Sequence, residues 1–289
     1  MALPDLDLLA KADADASDGI RGRWRTIRRL VQRSVLDRDI RTERRFFCQN
    51  SGACGSHYIV DLLNENGVDR VFHEKEPDLN EIGVRHYHSP LPKSDLIRTL
   101  RYTRHNVFFE ANNRLFSLSR ELADAFPAAR FIHLFRHPAN AVRSAMSKPN
   151  VAEYQKSNIR FSGTLGGTAA QRPLDRFCLY WKNVNHRILD DLEMLEQSGI
   201  EVLWLDFDDL ISGNVESLET FLDCQLPNRK KSPSHVGAVR SEGKFESFEN
   251  WNDQDKTSLR EICLPLLEKL RSKAAQNHRG KSDLPPIGS

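Results

Sequence analysis

The chain has 289 residues, 28% of them charged and 39% hydrophobic, with a net charge of only +2. That balance fits one large α/β domain or two small ones. It excludes a membrane-spanning chain, because no apolar run approaches the roughly 18 residues a spanning helix needs, and no signal-peptide pattern opens the sequence.

The five cysteines (Cys48, Cys54, Cys178, Cys224, Cys263) are odd in number and scattered. They lack CxxC or zinc spacing, so reduced thiols and a cytoplasmic location are expected.

In chain order, residues 1–18 are acidic and alanine-rich. Ten arginines from Arg21 to Arg45 then crowd a segment in which Ile20, Trp24, Ile27, Leu30, Val31 and Leu36 recur at helical spacing. Residues 1–43 therefore read as a basic helical extension, with a solvated basic face or a contact to an anionic surface as its two readings. A strand is predicted at 45–49, a helix at 56–66, a strand at 68–73, a polar loop at 74–85 and a helix at 94–103. Next come a strand at 106–110, a helix at 115–125 and an apolar strand at 129–135. A loop at 148–167 rich in Ser, Gly and Asn precedes a long helix at 175–197, whose apolar stripe runs through Phe177, Trp181, Ile188, Leu192 and Leu195. A strand at 202–205, a helix at 215–222, a basic loop (Arg229, Lys230, Lys231) and a helix at 254–270 follow, with a disordered tail expected over 272–289. Strands alternating with helices predict an α/β fold, a doubly wound parallel sheet flanked by helices, within a domain at 44–271.

Two segments read as anion-binding corners. After the first strand comes Asn50-Ser51-Gly52-Ala53-Cys54-Gly55-Ser56-His57. This small-residue loop at a helix start lets free amides face an anion, with Ser56 and His57 adding side-chain donors. It lacks the Gly-Lys-Ser/Thr of a Walker A loop. The second segment is Arg136-His137-Pro138 through Ser144. An Arg at the end of a strand and a Ser two helical turns on can reach one anion, the Arg as a rigid fork and the Ser as a hydroxyl donor.

Together these segments resemble the sulfotransferases that use 3′-phosphoadenosine 5′-phosphosulfate (PAPS). Residues 201–210 (EVLWLDFDDL) and the helix after them are similar to the late strand and turn of that family, and residues 126–130 to its run-in before the Arg strand. The resemblance spans roughly residues 46–269. It implies a P-loop NTPase-like sulfotransferase architecture and PAPS as cofactor, with adenosine 3′,5′-bisphosphate (PAP) as product. The acceptor would be a hydroxyl or amine of a small molecule, carbohydrate or lipid. No nucleic-acid partner is implied.

By the same resemblance Gly52, Ala53, Cys54, Gly55, Ser56, His57 and Tyr58 would hold the 5′-phosphosulfate, and Arg136 and Ser144 the 3′-phosphate. Arg240 and Lys244 echo a late turn that completes the pocket. The loop cation of the family falls on Ala53 here, so His57, Lys75 or Arg114 would have to replace it. Glu74, just beyond the second strand, is the first candidate for the base, with His73, Glu76 and Glu110 as alternatives, and His57 is the other catalytic candidate. His86 and His88 lack a third ligand at useful spacing, and this chemistry requires no metal. Trp181 and Trp251 read as core. A nucleotide-binding protein without turnover and a P-loop nucleotide kinase are the competing functional readings.

Overall fold

The computed structural model describes residues 43–75, 92–113, 115–147, 172–228 and 246–279. Five parallel strands form one sheet in the order β2-β3-β1-β4-β5. They are β1 (Arg45–Gln49), β2 (Val71–His73), β3 (Phe109–Asn112), β4 (Ala129–Phe135) and β5 (Val202–Asp206). The two innermost runs, RFFCQ and ARFIHLF, are nearly continuous apolar sequence, as a strand covered on both faces must be.

Alternation along those strands divides the core in two. Phe47, Phe131 and Phe135 face one side with α2 (Lys93–Thr103), α3 (Ser119–Ala125), α4 (Pro138–Met146), α5 (Pro173–Gln197) and α8 (Asp253–Arg279). Phe46, Cys48, Ile132 and Leu134 face the other side with α1 (Ser56–Glu65), α6 (Phe207–Ser212) and α7 (Glu216–Leu222).

The connection leaving β1 thus runs over one face toward β2, while the connection leaving β4 runs over the opposite face toward β5. β1 and β4 are neighbours, with Gln49 beside His133. Adjacent strands whose exits diverge open a crevice at their carboxyl ends, where sheets of this kind bind ligands. Both expected anion corners begin there.

Four expectations shift, the first being the second strand, which starts at Val71 rather than at residue 68. The third strand is Phe109–Asn112 rather than 106–110, because Glu110 and Asn112 are buried members of the sheet despite their polarity. The helix expected at 115–125 starts as a 3-10 turn, Leu115–Leu118. The tail expected at 272–289 is corrected in its first part, since α8 continues to Arg279. Ala274 packs into the core and Lys273 pairs with Glu193 (3.2 Å) and Glu196 (3.1 Å), so tertiary contacts hold those turns. No helix among the described residues is long and apolar enough to cross a membrane.

Candidate anion-binding site at the ends of β1 and β4

The loop between β1 and α1 is built on left-handed backbone. Gly52 (φ 77°), Ala53 (φ 54°) and Gly55 (φ 93°) all have positive φ. Such successive turns draw backbone N–H groups into a concave nest that favours an anion, and the N-terminus of α1, which starts at Ser56, adds its helix dipole there. The loop is tied from within. Asn50 Oδ1 accepts from the Gly52 N–H (2.9 Å), and the Cys54 thiol donates to the Gly52 carbonyl (3.1 Å). Gly55 must be glycine, because a Cβ there would overlap the Phe207 ring.

Arg136 comes to this loop from the end of β4. Its Nη1 donates to the Ala53 carbonyl (3.4 Å), and its guanidinium lies over the Phe207 ring, 4.9 Å from the centroid. Among the described residues its buried Nε has no hydrogen-bond partner. Burial lowers the Arg136 pKa, opposed mainly by Cys54 and Asp208. The Asp208 carboxyl is in turn raised by burial and by Asp206, which Arg271 holds at 2.9 Å. His137 caps α4 through Nδ1, which accepts from the Ala139 N–H (3.3 Å), and Pro138 occupies the first helical position.

At the other side of the mouth, Ser56 Oγ lies 3.0 Å from His73 Nε2. The His73 ring stacks on His57, with centroids 3.6 Å apart. Burial, then the neighbouring His57, lowers the His73 pKa to about 4, so its ring is neutral at physiological pH.

A nest of amides beside a half-buried guanidinium with an orphan N–H is a donor set for phosphate or sulfate oxygens. No family model and no curated protein matches the chain. Solved structures similar to it are sulfotransferases. One is from Alicyclobacillus acidocaldarius (12% identity, 81% of this chain and 96% of that one, TM-score 0.46). Another is the sulfotransferase domain of the curacin biosynthetic pathway (15%, 82% and 98%, TM-score 0.40). A third is that of the Synechococcus PCC 7002 olefin synthase (14%, 85% and 97%, TM-score 0.35).

The expected site residues separate into groups. Arg136 meets the loop at Ala53, and Ser144 is half-buried on the second turn of α4. The side chains of Cys54 and Tyr58 point inward. The Cys54 thiol is fully buried and its pKa is raised chiefly by burial, and the Tyr58 ring packs edge-on to Phe207 at 5.6 Å. The Cys54 thiol is committed to the Gly52 carbonyl, and the Gly52 N–H is already taken by Asn50. Glu74 follows β2 in a left-handed conformation (φ 48°), its N–H bonded to the Ala111 carbonyl (3.1 Å).

Glu110 is corrected as a candidate base: it is buried in an ion pair with Arg104 at 2.5 Å. Lys75 donates to Asn106 Oδ1 and lies over the Phe72 ring, and burial, with Arg104 next, lowers its pKa to about 8. Trp181 and Trp251 belong to the core as expected. Residues 1–42, Glu76, His86, His88, Arg114, the 148–167 loop, Arg240 and Lys244 lie outside the described residues. The sequence does not single out Phe207, whose ring packs against both Gly55 of the loop and the Arg136 guanidinium, or Asn50, which folds the loop. An aromatic residue directly after the end of β5 was the available signal for the first.

Proposed function

We propose that the chain is a sulfotransferase that moves a sulfuryl group from PAPS to a hydroxyl or amine of a small-molecule, carbohydrate or lipid acceptor. The observation that carries this reading is the meeting of Arg136 with the β1 loop at Ala53, at the carboxyl ends of adjacent parallel strands, with its buried Nε unpartnered among the described residues.

The residues fit the donor. The amides from Ala53 onward and the Ser56 hydroxyl would take the 5′ end, and Arg136 with Ser144 the 3′-phosphate. When bound, PAPS supplies an activated sulfuryl group whose bond to the bridging phosphate oxygen breaks as one to the acceptor forms. The chain orients both ends and offers fixed donors where negative charge gathers, which is the main route to catalysis for such transfers. Glu74 is the proposed base. His73, neutral, orients the Ser56 hydroxyl instead of taking a proton. All five cysteines are free thiols, which fits a reducing cytoplasm.

A second reading rests on Ala53. An apolar side chain stands where the resembling family carries its loop cation, so a protein that holds the nucleotide with little turnover is the alternative.

Calorimetry with PAP and with ATP–Mg²⁺ tests the binding. Tight PAP binding that weakens about 10–100-fold in Arg136→Ala is expected, the worth of a charge-assisted contact. Preference for ATP–Mg²⁺ would overturn the reading. Transfer of labelled sulfate from PAPS into a metabolite extract then separates enzyme from binder.

A further inference from the structure

Behind the loop, away from its mouth, runs a buried polar chain between apolar cores. His133 Nε2 lies 2.9 Å from Asn185 Oδ1. Asn185 Nδ2 donates to Ser51 Oγ (3.1 Å) and to the Trp181 carbonyl (2.7 Å). Ser51 Oγ lies 3.1 Å from Cys54 Sγ, which donates to the Gly52 carbonyl (3.1 Å). His133, Asn185 and Cys54 are fully buried and Ser51 is 3% exposed.

The donor inventory gives this chain one direction. Asn185 commits its amide hydrogens to Ser51 and Trp181, so its oxygen faces His133, and His133 must carry its proton on Nε2. Ser51 accepts from Asn185. The one thiol proton of Cys54 goes to Gly52, so the Ser51 hydroxyl proton goes to Cys54. Each group donates to the next, ending on the carbonyl of the peptide that opens the left-handed run. Burial keeps both ends in the required form: His133 is lowered to about 4 and stays neutral, while the Cys54 pKa is raised and the thiol keeps its proton.

We infer that Asn185 is a positioning residue for the anion-binding loop, acting through Ser51 and Cys54 to hold the Gly52 carbonyl away from the mouth and so aim the amides that follow. The inference rests on the proposed donor site. An Asn on the inner stripe of α5 has a bland role as well, satisfying His133. That role alone would not require a donor toward Ser51, and it predicts no effect on ligand affinity in a folded variant.

A double-mutant cycle on the full chain, read by PAP calorimetry, tests it. Asn185→Leu and Ser51→Ala should each weaken PAP about tenfold, and the double variant no more than about tenfold, because both cut one chain. Ser51→Thr, which keeps the hydroxyl, should recover most of the loss in Ser51→Ala. If Asn185→Leu fails to fold, Asn185→Ala, which removes the donor toward Ser51 without adding a carboxyl proton or a charge, replaces it in the cycle. Single variants within twofold of wild type, losses that multiply to about a hundredfold, or Ser51→Thr no better than Ser51→Ala would each overturn the inference while leaving the proposed function intact. Wild-type protein that does not bind PAP would defeat the proposed function, and the inference with it.

Discussion

Gly55→Ala isolates the geometry on which the site depends. Gly55 holds φ at +93°, and an added Cβ would sit 2.0 Å from Cε2, 2.3 Å from Cδ2 and 2.6 Å from Cζ of Phe207. Carbon atoms in contact need about 3.5 Å. The ring has little room to withdraw, being 4% exposed and held between Tyr58 and the Arg136 guanidinium. The left-handed backbone costs a residue with a Cβ about 1–2 kcal/mol, and forcing a methyl into a packed interior about 1–3 kcal/mol. The sum, about 2–5 kcal/mol, is a large share of the roughly 5–15 kcal/mol that holds a typical domain folded. Urea unfolding should show that loss as a lower midpoint, and thermal melting as a fall of roughly 5–20 °C for a chain of this size. Any folded Gly55→Ala protein should also bind PAP more weakly, since relieving the clash moves the first turn of α1. A stability loss below about 1 kcal/mol would refute the reasoning, because it would mean that Phe207 does not pack on the loop as described.

Two further outcomes follow from buried charge. Glu110 and Arg104 are both fully buried and pair at 2.5 Å, so Glu110→Gln should cost on the order of 3 kcal/mol in urea unfolding by leaving the guanidinium uncompensated. Transfer per folded molecule should be unchanged, and loss of transfer without loss of stability would return Glu110 to the list of bases. His133 is depressed to about 4 in the folded chain against about 6.5 when unfolded. Its contribution is therefore complete above pH 6.5 and is lost as pH falls from there toward 4, by about 3 kcal/mol in all. His73, depressed for the same first cause, acts in the same direction. Unfolding midpoints measured from pH 7.5 to 4.5 should fall, and His133→Gln should flatten the fall. An equally steep profile in that variant would show that the titration of His133 is not responsible.

The parts of the fold legible in the sequence are those whose signal is local. β1 and β5 are buried along their whole length and β4 everywhere but Arg130, and a mostly apolar run of that kind announces a central parallel strand without help from its neighbours. The glycine spacing of the loop and the Arg–Pro step after β4 also survive in one dimension. β3 lies later than expected because its last residues, Ala111 and Asn112, look like a loop in the sequence, and the charge of Glu110 inside the sheet is matched only by Arg104, just past α2. The last turns of α8 were missed because Lys273 finds its carboxylates on α5, almost eighty residues away. Tyr58 is expected as a ligand residue, yet its ring packs edge-on against Phe207 at the exit of β5, a neighbour that only the folded sheet supplies.

His133 and Asn185 illustrate a signal that was present and unused. Each is a polar residue set inside an apolar stripe, His133 within ARFIHLF and Asn185 four residues after Trp181 on the inner face of α5. A buried polar side chain is tolerated only when it finds a partner, so two such interruptions in elements that pack together invite the search for a shared bond. Ala53 makes the converse case. Its bond to Arg136 uses only the backbone carbonyl, and its methyl side chain leaves that position of the loop without a cation of its own. The positive charge then comes from the strand behind, where the guanidinium is pinned between loop and ring. Charge held there can grip a phosphate in the ground state, whereas departure of the leaving group needs charge that follows the breaking bond. Under the proposed function, affinity for the nucleotide and rate of transfer would therefore be separable, the first depending on Arg136 and the loop and the second on a cation that Ala53 does not supply.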